Sequence, residues 1–158
     1  MHPEKKQILM HYEKSILWLE QLSHASDKQW RSPIQQGKWT VAEVIGHLIP
    51  WDEFVLHKRI PFLFSKEQLP KGPDVEQMNA EAASSSGLLS MEHTLQALLN
   101  NRCLLLDALA LLPDELWQQS FKIGHSELTL YSYFCGLVEH DLHHFLQIQN
   151  VIGEMEWK

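Results

Sequence analysis

Through four long stretches of this chain, apolar residues return at the spacing of a helical turn, and no stretch sustains the alternation of a strand. At 3.6 residues per turn such residues share one helix face, and that face must be buried against something. The first stretch spans 3–22, with Ile8, Tyr12, Ile16, Leu19 and Leu22 on its stripe and Pro3 suited to an opening turn. The second opens at Thr40, with Glu43 at capping-box spacing, and carries Val44, Leu48, Trp51, Phe54 and Val55. Pro50 lies inside it and removes a backbone donor; the helix is expected to fade near Pro61 or a few residues later. The third runs from an N-cap at Ser90 to Leu112, before Pro113, on a stripe from Met91 through Leu98 and Leu105 to Leu109. Arg102 falls in the gap of that stripe; its stem is expected to pack while its head reaches water. The fourth begins after Thr129 and ends near Ile152, where Gly153 suits a C-terminal cap.

Between the second and third helices, residues 65–89 form a long polar connection with turn signals at Pro70, Gly72 and Pro73. It reads either as a lid or as a plain crossover, and "DVEQMNAEAA" within it suits a short helix. Together these signals predict an all-α four-helix bundle with one long crossover connection between helices two and three. The 158 residues suit a single domain, 1–158.

Composition narrows the function. A net charge of −7 with scattered lysines and arginines argues against a nucleic-acid partner. The most apolar run, "LLLDALALLP", is too short to span a bilayer, so no membrane partner is expected. "MHPEKKQILMHYEK" lacks the apolar core of a signal peptide, and Cys103 and Cys135 form no CxxC pair. A cytoplasmic protein with reduced, buried cysteines is the expectation.

Ten histidines are the compositional oddity, and three of them crowd into "VEHDLHHFLQI". At about 100° per residue, Tyr133, Leu137, His140, His144, Gln147 and Val151 share one stripe, apolar at its ends and polar in its middle. His140 and His144, at i and i+4, can aim two imidazoles at one ion. His143 sits at the edge of that face, suited to a rim position or to supporting a ligand. A third ligand must come from another helix, and His47 on the inward side of helix two is the best candidate, ahead of His57. The histidines at 2, 11, 24, 93 and 125 fall at ends, connections or solvent faces. Three neutral imidazoles suit Zn²⁺, Ni²⁺, Fe²⁺ or Cu²⁺ rather than Ca²⁺ or Mg²⁺, and three ligands leave a position open. Gln147 reads as a supporting or pocket residue or a surface glutamine, Trp51 as core or pocket wall, and Asp141 as solvated or interhelical.

"KWTVAEVIGHL" resembles the opening of the second helix in the DinB/YfiT-like superfamily, and "EHDLHHFLQI" resembles that superfamily's late HxxxH segment. The order of helices agrees as well. The resemblance implies an up-down-down-up bundle with a mononuclear three-histidine site at His47, His140 and His144, and commonly a homodimer. Many members carry an Arg-Gly pair after HxxxH; Phe145 and Leu146 stand there in this chain and are expected to make the rim more apolar. Assigned activities in the superfamily include transfer and isomerisation dependent on low-molecular-weight thiols, and many members are described as metal-dependent hydrolases. The expectation is therefore an enzyme acting on a small-molecule substrate, of thiol S-transferase or hydrolase type. It would use one divalent transition metal (zinc, nickel, iron or manganese) and, for transfer, a thiol cosubstrate. The competing expectation is a non-catalytic, metal-stabilised bundle that binds a small ligand or a protein.

Overall fold

A computed structural model of the chain describes residues 1–153; the last five positions, 154–158, lie outside the described residues. Helix α1 spans Pro3–Leu22 and α2 is a single turn, Asp27–Trp30, whose Ser26–Gln29 capping box drops the Trp30 ring into the core. Helix α3 spans Val41–Phe54. The Thr40 hydroxyl accepts from the Glu43 N–H and the Glu43 carboxylate accepts from the Thr40 N–H, so two N-terminal donors are satisfied. Pro50 does not end this helix; beyond Phe54 it widens into a π-turn over Val55–Arg59.

The 65–89 connection contains α4, Val75–Ser86, which packs along α3. A Cβ on Gly46 would lie 2.6 Å from Ser86 Cβ, so the two helices approach closely only because residue 46 is glycine. Arg59 ties down the start of the connection: its guanidinium donates to the Pro70 carbonyl at 2.7 Å and stacks on Phe54.

Helix α5 spans Met91–Leu111 with Ser90 as its N-cap. A 3₁₀ turn over Asp114–Gln118 follows, then an antiparallel hairpin of β1 (Ser120–Ile123) and β2 (Ser126–Thr129). Gly124, at φ +60°, supplies the positive dihedral of its two-residue turn. The helical pattern alone leaves this small sheet out. Helix α6, Leu130–Ile152, follows without a gap; Thr129 caps it and Gly153, at φ +98°, closes it.

The four long helices α1, α3, α5 and α6 bury two apolar clusters. One centres on Trp18, stacked on Phe145 with ring centroids 4.1 Å apart, and includes Ile45, Leu48 and Leu98. The other gathers Tyr12, Val55, Leu105, Leu109 and Phe134. Where the clusters meet, the bundle buries charge: His11, Asp52, Arg102 and Asp141 are each at most 7% exposed. No helix among the described residues is long and apolar enough to cross a membrane.

Candidate metal centre

His47 lies nearly two turns into α3, 2% exposed, three residues after Val44. Its Nδ1–H donates to the Val44 carbonyl. A carbonyl oxygen can only accept, so the proton sits on Nδ1 and the Nε2 lone pair is left free. On α6, His144 Nδ1–H donates to Gln147 Oε1 at 2.8 Å, which fixes that ring in the same tautomer. His140 Nε2 stands 3.1 Å from His144 Nε2. One ring nitrogen from each of His47, His140 and His144 falls within 4.8 Å of the others. The nitrogens of a tetrahedral zinc site lie about 3.3 Å apart, so small rotations suffice to close these three on one ion. Among the described residues this is the group of histidine, cysteine and acidic side chains that could hold a metal.

Burial lowers the His47 pKa to about 4, with the neighbouring His144 and His140 adding to the effect. Burial is also the largest cause lowering His140 and His144. All three are therefore neutral at neutral pH, the form in which imidazole is a ligand. The Trp39 ring stands 5.0 Å from His47 and shields its outer side.

The centre sits on the flank of the bundle rather than in its middle. The fully buried stripe of α6 is Leu130, Phe134, Asp141, Phe145 and Ile148. The histidine stripe runs beside it, with His144 half-buried and His140 exposed. His143 is exposed, with its ring 5.2 Å from that of His144, at the rim. His57 is exposed on the π-turn and stays outside the cluster.

Beside the centre, Arg102 grips two carboxylates at once. Its Nε and Nη2 donate to Asp52 at 2.7 and 3.1 Å, and its Nη1 and Nη2 donate to Asp141, the Nη2 bond at 3.0 Å. His11 Nε2 completes the group, 2.8 Å from Asp141 Oδ2. Burial pushes Asp52 up to about 7 against the pull of Arg102. Burial also works to raise Asp141, but Arg102 together with the His11 hydrogen bond outweighs it and holds that carboxyl below its usual range.

Three expectations are corrected here. The Arg102 head does not reach water: at 2% exposure it is enclosed by carboxylates that outbid solvent. His11 is not on a solvent face but is 7% exposed and bonded across the bundle. Cys103 is exposed rather than buried, and Cys135 is half-buried against the second cluster. Of the alternatives open for Asp141, the interhelical one holds. Asp52 carries no cluster or motif, yet its position signals burial, four residues after Leu48 and three before Val55.

A cavity of about 210 Å³ opens between this network and the metal centre, walled by His140, Asp52, Trp51, Tyr12, Leu48 and Leu137 among others. Trp51 thus belongs to a pocket wall, and its indole N–H is held by Asn79 of α4 at 2.8 Å. A larger cavity of about 360 Å³ lies on the other side of α3, against α4 and α5, and none of the three histidines lines it.

Comparison with known proteins agrees with this architecture. A family model described as the DinB superfamily matches residues 11–148. The structure reported as "YfiT from Bacillus subtilis is a probable metal-dependent hydrolase with an unusual four-helix bundle topology" superposes with a TM-score of 0.79 at 21% identity, covering 100% of this chain and 91% of that one. No curated protein matches the chain by sequence.

Proposed function

The chain belongs to the DinB superfamily, and on that premise we propose that it is a metal-dependent enzyme whose one divalent ion is held by His47, His140 and His144. The observation that carries this reading is the tethering of the rings. Val44 and Gln147 take the Nδ1 protons of His47 and His144, which leaves their Nε2 lone pairs to turn toward one point with His140. A metal bound there would supply Lewis-acid chemistry, acidifying a water or thiol or polarising a carbonyl. The chain's own residues do the rest. His47 anchors the ion from the buried side, while His140 places it against the cavity in which a small-molecule substrate would sit. Leu48, Leu137 and Trp51 keep that cavity largely apolar. Between hydrolysis and thiol transfer, hydrolysis has the added support of the description given to the YfiT protein.

The test is metal content first and turnover second. Protein purified without a metal-affinity tag is assayed for bound zinc, nickel, iron and manganese. It is then reconstituted and given ester and amide substrates, and separately a low-molecular-weight thiol with an electrophile. Metal-dependent turnover, lost together with the ion in His140→Ala, is the expected result. Metal bound without turnover on any substrate would return the chain to the non-catalytic reading. An His140→Ala variant with unchanged metal content would overturn the ligand assignment.

A further inference from the structure

The pocket beside the three histidines has a chemistry of its own, and it selects a class of ligand. Its side walls are apolar or aromatic, from Leu48, Leu137, Trp51 and Tyr12, and one edge is the candidate ligand His140. Its polar lining is Asp52, Arg102 and Asp141. The positive charge there is already committed, because every nitrogen of the Arg102 guanidinium donates to a carboxylate oxygen. The two carboxylates share the guanidinium, with His11 against Asp141 and Arg102 against both. In the metal-free protein an anionic head group entering the pocket would therefore meet carboxylates, with no uncommitted cation to receive it. A protonated amine would meet the reverse situation. Each Asp52 oxygen accepts a single hydrogen bond, from Arg102, and a carboxylate oxygen can accept another. Burial raises the Asp52 pKa further than Arg102 lowers it, so a second cation at that carboxylate would favour its charged form. Size sets a further limit. A dry cavity of about 150 Å³ accommodates benzene, so the roughly 210 Å³ here suits a single ring or short chain with a small head.

We propose that this cavity binds a small apolar molecule bearing an ammonium or other cationic nitrogen, with the cation seated on Asp52 and the apolar body between Leu48, Leu137 and Trp51. That this ligand is the substrate rests on the metal-dependent reading above; the class of ligand rests on the pocket alone. A charge-assisted hydrogen bond in such a site separates the amine from its neutral analogue by at least about tenfold.

The experiment uses three probes of nearly equal size: benzylamine, benzyl alcohol and benzoate. Each is titrated into metal-free protein at mildly alkaline pH, where the amine is still protonated, and followed by the NMR signal of the Trp51 indole N–H and by calorimetry. Benzylamine is expected to bind at least about tenfold tighter than benzyl alcohol, with benzoate weakest. Asp52→Asn should erase the gap between amine and alcohol while the alcohol's own affinity persists. Val55, at the start of the π-turn, also lines the pocket; Val55→Phe should fill it and weaken all three probes, and it serves as an independent check if the Asp52 variant folds poorly. Benzoate binding as well as the amine, an amine preference that survives Asp52→Asn, or no binding of any probe would each overturn the proposal. Zinc uptake is measured separately on probe-free aliquots of the same metal-free preparation. Protein that ranks the probes as expected but takes up no metal keeps the pocket and loses the metal reading; protein that takes up metal but ranks them otherwise does the opposite.

Discussion

Gln147 is the residue through which the candidate metal centre can be tested without touching a ligand. Its carbonyl oxygen holds the Nδ1 proton of His144 and fixes which nitrogen faces inward. Partners of this kind typically contribute 10–100-fold in metal affinity. Gln147→Ala is therefore expected to weaken zinc binding by at least about tenfold in a chelator competition, whereas His143→Ala, at the exposed rim, should leave it unchanged. Equal effects from the two would mean that the Nδ1 tether does not matter. Asp52 governs a different property, the pH dependence of stability. Its pKa rises from 3.8 to about 7 on folding, so as pH climbs through that window the unfolded chain releases a proton that the folded chain still holds. Asp52 thus costs the folded state increasingly between those values, up to roughly 4 kcal/mol above them. Burial sets the shift; among the groups facing Asp52, Arg102 opposes it, while Asp141 and Glu53 reinforce it. Urea denaturation of metal-free protein should show Asp52→Asn gaining on the wild type as pH rises from about 4 to about 7. A difference that stays flat across that range would show that Asp52 is ionised throughout.

At the scale of elements, α3 and α4 approach closely at Gly46. Gly46→Ala would set a Cβ 2.6 Å from Ser86 Cβ, an atom fixed to the backbone of α4, so α4 must move. A loss of about 1–3 kcal/mol is expected, together with faster amide exchange in 75–86 than in α5 or α6. Unchanged exchange there would show that α4 can shift without loosening. The neighbouring sequence explains why these helices were legible from the start: each long helix announces its own ends. Pro3, the Thr40–Glu43 box, Ser90 and Thr129 lie where helices begin, and Gly153 where the last one stops, because caps depend on local chemistry alone. The hairpin was not legible, since "SFKI" and "SELT" are four residues each and too short for alternation to register. The histidine triad was half legible. The i, i+4 pair lies within one helix, while pairing it with His47 needed the apolar stripe of another. The charged residues were hidden for a related reason. Arg102, His11, Asp52 and Asp141 each stand on a buried stripe, and only their mutual pairing across helices makes that burial tolerable.

The whole molecule is organised around that pairing, because each of the four long helices contributes one member: His11 from α1, Asp52 from α3, Arg102 from α5 and Asp141 from α6. Two of those helices also carry the candidate metal centre. Asp141 directly follows His140, and Asp52 lies little more than a turn beyond His47. Zinc binding should tie the same helices together a second time, so zinc at a hundredfold excess over its Kd is expected to stabilise the fold by about 2.7 kcal/mol, an increment that His47→Ala removes. The charged group itself need not add net stability, since buried ion pairs often do no better than apolar residues of like size. Its value lies in register: a guanidinium that must face both α3 and α6 allows few relative positions of the two helices. Breaking it and replacing it should then have different consequences. Arg102→Met alone strands two buried carboxylates and is expected to cost about 3–5 kcal/mol. Adding Asp52→Asn and Asp141→Asn removes the stranded charge and should restore most of that stability in urea denaturation. It should not restore the metal centre, because nothing then fixes how His47 meets His140 and His144. Zinc affinity in the triple variant is expected to stay at least about tenfold below wild type although the fold has recovered. A stable triple variant that binds zinc as tightly as the native chain would show that apolar packing alone sets the register.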